Sequence, residues 1–87
     1  MSQYRKKPIV VDAIQWHALN RHEVLEFIGP AGGHWRAATE FLPEVIVIYT
    51  MEGNHNAKLG DWIIKGVKGE FYPCKPDIFA ATYEAVE

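Results

Sequence analysis

Between Gly60 and Phe79 the sequence runs through a β-forming segment, a glycine-rich interruption and a second β-forming segment. No other stretch limits the fold as much. Trp62-Ile63-Ile64-Lys65 and Phe71-Tyr72-Pro73-Cys74 flank the interruption, so the chain is expected to fold back on itself as a β-hairpin. If Gly66-Val67-Lys68-Gly69 form a four-residue connection, Lys65 faces Glu70, Ile64 faces Phe71, Ile63 faces Tyr72 and Trp62 faces Pro73. Alternation then divides the hairpin into two faces. Trp62, Ile64, Phe71 and Pro73 make an apolar face suited to a core, while Ile63, Lys65, Glu70, Tyr72 and Cys74 make an amphipathic one, with Lys65 and Glu70 as a weak cross-strand pair.

The remaining elements follow from local pattern. Ile9 to Trp16 is β-branched, follows Pro8 and predicts a first strand. Asn20-Arg21-His22-Glu23 has the form of a capping box, Val24, Leu25, Phe27 and Ile28 supply a helical apolar stripe, and Gly29-Pro30 ends the helix. Ala31 to Glu40 is consistent with either an irregular crossover or a poor strand. The continuously apolar Val45 to Thr50 reads as a central strand, with Met51-Glu52-Gly53-Asn54 as a turn into a short strand over His55 to Leu59. Lys75 to Phe79 reads as a turn or a single helical turn, and Thr82 to Val86 as a last edge strand. The expected fold class is α+β: a single small domain over residues 1–87, with one helix packed on a curved, mostly antiparallel sheet.

Composition narrows the function. A chain of 87 residues buries a smaller share of its surface than a larger one, which makes self-association an expected source of stability. Net charge is −2, so the cationic footprint of a nucleic-acid binder is missing. One cysteine excludes an internal disulfide and points to a reducing compartment, the cytoplasm. No apolar run reaches the ~18 residues of a spanning helix, and Asp12 interrupts the short run behind the polar start.

Catalytic patterns are weak. Cys74 and any of His17, His22, His34 or His55 would form a thiolate–imidazole pair only if the fold joined them, and a lone cysteine in a strand is more often a small core residue. The histidines lack metal-ligand spacing, and Asp12, Asp61 and Asp77 are scattered, so no catalytic, metal or cofactor site is assigned. A binding site is the better reading. Lys65, Lys68 and Lys75 surround Tyr72 near glycine-rich backbone, a composition that suits a small anionic, ring-bearing ligand. Tyr72 or Trp62 would stack on a base, and the three lysines with Arg5 would meet phosphate; against this stand plain core packing for Trp62 and surface charge for the lysines. Trp35 and Arg36 in the ambiguous segment, with Tyr83, are candidate interface residues.

Tyr4 to Trp16, together with Gly60-Asp61-Trp62-Ile63-Ile64-Lys65-Gly66-Val67-Lys68-Gly69-Glu70-Phe71-Tyr72-Pro73-Cys74-Lys75-Pro76-Asp77-Ile78-Phe79 and Thr82-Tyr83-Glu84, resembles a family of small phage and prophage proteins. There is a looser likeness to a Pro-Gly-Asp-Tyr-Gly core at Leu59-Gly60-Asp61-Trp62-Ile63. The resemblance covers roughly half the chain, at its two ends, and brings no catalytic residues with it. It implies a protein working in the cytoplasm of an infected bacterial host. Two roles follow: an anti-defence protein whose oligomer sequesters a nucleotide-derived immune signal, or an interaction module that inhibits a host defence enzyme through Trp35 and Tyr83.

Overall fold

Val45 to Ile48 are buried on both faces of their sheet, which is where an uninterrupted β-branched run is stable. In the computed structural model, which describes residues 1–86, this run is part of β3 (Val45–Thr50). The order along the chain is β1 (Asp12–Gln15), α1 (Arg21–Gly32), β2 (Gly33–Arg36), β3, β4 (Gly53–Ala57), β5 (Trp62–Lys65), β6 (Phe71–Cys74) and α2 (Pro76–Thr82). The architecture is α+β and every strand pairing is antiparallel. The strands form two three-stranded sheets, ordered β1-β5-β6 and β2-β3-β4. Trp16, Val24, Ile28, Ile46, Ile48, Ala57 and Ile63 form the buried cluster that joins the sheets to α1. Among the described residues no helix is long and apolar enough to cross a membrane.

The first strand is shorter than its sequence suggests. β5 offers only Trp62 to Lys65 as partners, so pairing begins at Asp12 and leaves Ile9 and Val10 exposed. The ambiguous segment after α1 resolves in part as β2, which pairs with β3 through Gly33↔Ile48 to Arg36↔Val45.

Asn20 precedes α1 as expected, but it does not cap it, and no capping box forms. Its side chain instead accepts the His17 N–H at 2.8 Å and donates to the Gln15 carbonyl at 2.7 Å. Asn20 is buried, so these two bonds satisfy an amide that would be costly left unpaired, and they tie the end of β1 to the start of the helix. Gly29 does break the helix, with φ 67 and ψ 171, and Pro30 starts one further turn.

The last edge strand is absent. Helix α2 continues through Thr82, and Tyr83 has extended backbone while its N–H donates to the Phe79 carbonyl at 2.9 Å. Pro76 at the helix start supplies a φ already suited to it. Phe79 and Tyr83, four residues apart, then stack on one another at 5.0 Å, and Phe79 stacks face to face on Trp62 at 4.0 Å. These contacts favour a helical turn over an unpaired edge strand.

Candidate functional site

The hairpin is offset by one residue from the expected register. Trp62 pairs with Cys74, Ile63 with Pro73, Ile64 with Tyr72 and Lys65 with Phe71, because the connection has five residues, Gly66 to Glu70. Gly66 N–H donates to the Glu70 carbonyl at 2.7 Å, Gly69 N–H donates to the Gly66 carbonyl at 3.0 Å, and Gly69 takes φ 83. Glu70 therefore belongs to the turn, where its carboxylate accepts the Lys68 N–H at 3.1 Å and no cross-strand pair with Lys65 forms. The one-residue offset reassigns the faces. Ile63 and Phe71 point toward the core with Pro73 between the sheets, and Trp62, Ile64, Tyr72 and Cys74 share the opposite face.

Helix α2 covers part of that opposite face. Its Phe79 lies between Trp62 and Tyr83, and the Lys6 ammonium sits 5.4 Å from the centre of the Tyr83 ring. Trp62 and Tyr83 thus end in one aromatic stack.

On the core side, β6 is an edge strand packed near β3 and β4, and the gap left beside it is an open cleft of about 580 Å³. Its walls are Phe71, Tyr72 and Pro73 of β6, Thr50, Met51 and Glu52 of the β3–β4 turn, His55 of β4, and Lys68 and Glu70 of the hairpin turn. His55 pairs with the buried Ile48, so it leaves the sheet on the core side, and its place on an edge strand opens it to the cleft. Phe71, in the wall of the cleft, meets Phe27 edge-on at 5.4 Å.

Of the residues expected to bind a ligand, Lys68 and Tyr72 line this cleft, Tyr72 through its place on β6, since its phenol lies on the opposite face beside Tyr83. Lys65, Lys75 and Arg5 are exposed elsewhere, and Trp62 is engaged with Phe79. Trp35 belongs to β2, where the Arg21 guanidinium lies 3.9 Å above its ring and its Nε1 donates to the Glu44 carboxylate at 3.1 Å. Arg36 is exposed at the end of β2, and Tyr83 is half-buried. His55 and Phe71 are site residues that sequence reasoning did not assign. Phe71 was given to the core, and His55 has a signal only in retrospect, as the middle residue of a short polar strand.

Burial, with the Tyr83 hydroxyl close by and smaller contributions from Glu70 and Cys74, pushes the Tyr72 phenol from 10.0 up to about 12. Folding therefore favours the protonated phenol. Its stabilising effect is complete below pH 10 and is lost as pH rises from about 10 toward 12. An ultraviolet titration should show a late tyrosine phase that Tyr72→Phe removes; a late phase that survives in Tyr72→Phe, or none in the parent chain, would contradict this environment.

Burial also raises the Cys74 thiol, helped by Asp61 and Asp77, and its Sγ donates weakly to the Lys75 carbonyl at 3.7 Å. That environment opposes a thiolate nucleophile. The histidines lie away from it: His34 bonds to the Tyr49 hydroxyl, His22 pairs with Glu26, His17 accepts the Leu19 N–H, and His55 faces the cleft. Among the described residues no three His, Cys, Asp or Glu side chains converge as a metal site would require. No family model, curated protein or solved structure gives a significant match to the chain.

Proposed function

We propose that the protein is a small binding module that holds a ring-bearing ligand of low negative charge, of the nucleotide-derived class, in the cleft between β6 and the β3–β4 turn. The observation that carries this reading is the meeting of Phe71 and His55 with Lys68 around one cleft. Its volume, about 580 Å³, lies within the range of small-molecule sites. Phe71 and His55 offer ring surface and Lys68 offers a cation for a phosphate. The charge of the ligand is limited, because Glu52 and Glu70 also line the cleft. Glu70 is the lesser obstacle, since its carboxylate already accepts the Lys68 backbone N–H. A sequestering role in the anti-defence setting implied by the sequence resemblance needs affinity and no turnover, which fits a site without an activated nucleophile.

Isothermal titration with nucleoside monophosphates, cyclic dinucleotides and ADP-ribose derivatives tests the reading. At least one is expected to bind, and Lys68→Glu is expected to weaken that ligand on the order of tenfold or more, the effect of replacing an attractive charge with a repulsive one. Absence of heat from every compound at protein concentrations on the order of 100 times a micromolar Kd would sink it.

A further inference from the structure

We propose that two copies of the chain pair edge to edge through β4, antiparallel and centred on His55, so that the β2-β3-β4 sheets of both become one. Edge strands in monomeric proteins are ordinarily blunted by charge, proline or a bulge. Three of the four edges here are: β1 carries Asp12 and follows Lys6-Lys7-Pro8, β2 carries Arg36, and β6 contains Pro73. β4 has neither a formal charge nor a proline, and Gly53, Asn54, His55 and Asn56 are all exposed.

The sequence on either side of His55 is complementary to itself when reversed, as a twofold interface requires. Pairing about His55 sets Asn54 opposite Asn56 of the second copy and Gly53 opposite Ala57, amide against amide and small against small. Just outside the ladder Glu52, in the β3–β4 turn, and Lys58, which leaves β4, carry opposite charges, and the twofold brings the side chain of each to the end where the other emerges from the second copy. Both side chains are exposed, and neither has an ion-pair partner in its own chain among the described residues. This match of amides in the ladder and opposite charges at its ends selects a second copy as the occupant of the edge. A five-residue strand is a small contact, so the dimer belongs to the weak class of interfaces, with a Kd of micromolar order. The pairing has one consequence that rests on the ligand reading above: Lys58 of the second copy answers Glu52 at the rim of the cleft and lowers the repulsion an anionic ligand would meet there.

Sedimentation equilibrium on the full chain, without any nucleotide, tests the interface separately from the ligand. Over about 1–300 µM, the span appropriate to such a contact, the chain should pass from monomer to dimer. Glu52→Lys and Lys58→Glu should each weaken association on the order of tenfold, since each sets like charges opposite one another twice, and the Glu52→Lys/Lys58→Glu double variant should restore it. Circular dichroism on each variant checks folding. In a Cys74→Ser background, His55→Cys should oxidise to a covalent dimer, because residues directly opposite in a ladder have the spacing a disulfide requires. A monomer across the range, single variants that associate normally, a double variant that stays monomeric, or His55→Cys that does not cross-link would each overturn the proposal.

Discussion

A Trp16→Ala protein is expected to be close to unfolded at room temperature. Trp16 is fully buried and sits in the cluster with Val24, Ile28, Ile46, Ile48, Ala57 and Ile63, where the two sheets and α1 meet. Its backbone also joins the segment before β5: Trp16 N–H donates to the Asp61 carbonyl at 2.9 Å, and the Gly60 N–H donates to the Trp16 carbonyl at 2.8 Å. Gln15 adds a side-chain bond to the Gly60 carbonyl at 3.0 Å, so the tryptophan is held in place and cannot readily shift to fill a neighbouring gap. Truncation of a buried tryptophan costs about 3–5 kcal/mol when the surroundings do not collapse. A small domain has roughly 5–15 kcal/mol in total, so that loss takes most of it at the lower end of the range. Urea unfolding followed by circular dichroism measures the effect. Trp16→Phe keeps an aromatic ring in the site and should lose clearly less; equal losses for the two variants would show that the cavity does not govern the cost.

The apolar pattern was the legible part of this chain. It located β1, α1, β3 and the β5–β6 hairpin, because burial against a partner imposes periods of 2 and 3.6 that survive in one dimension. What failed were choices that turn on one hydrogen bond. The hairpin contains both a four- and a five-residue solution, and the carboxylate of Glu70 accepting the Lys68 N–H favours the longer one. That bond decides which residues share a face with Trp62, and composition does not report it. Asn20 has the same character: an amide there suits a cap equally well, yet the His17 N–H and the Gln15 carbonyl claim it first. Thr82 to Val86 reads as a strand by propensity, but Phe79 and Tyr83 gain more by stacking in line with Trp62. The cleft was only half legible for a related reason. Lys68 and Tyr72 belong to the hairpin itself, whereas His55, Met51 and Glu52 come from a different sheet, and their approach to β6 is a tertiary contact with no local signature.

Gly33→Ala is expected to destabilise the domain by about 3 kcal/mol or more through contact alone. The backbone at Gly33, with φ 162 and ψ −170, is extended and open to any residue, so conformational freedom does not explain the glycine. Space does. A Cβ built there falls inside the van der Waals envelope of the Val47 carbonyl oxygen, and would also lie 3.1 Å from the Val47 carbonyl carbon and 3.2 Å from Ile28 Cδ1. The first of these is backbone in the central strand, which cannot yield without disturbing the β2–β3 pairing at His34↔Val47. The loss should appear as a fall in Tm of roughly 10–20 °C for a domain of this size. Gly53 is the control. It has φ 114 and nothing within 4 Å of an added Cβ, so Gly53→Ala meets only the backbone cost of a positive φ, about 1–2 kcal/mol. Comparing the two separates steric from conformational reasons for glycine. If Gly33→Ala melts no lower than Gly53→Ala, then β2 does not lie as close to β3 as described, and the packing of Ile28 and Trp35 behind it would need a looser arrangement.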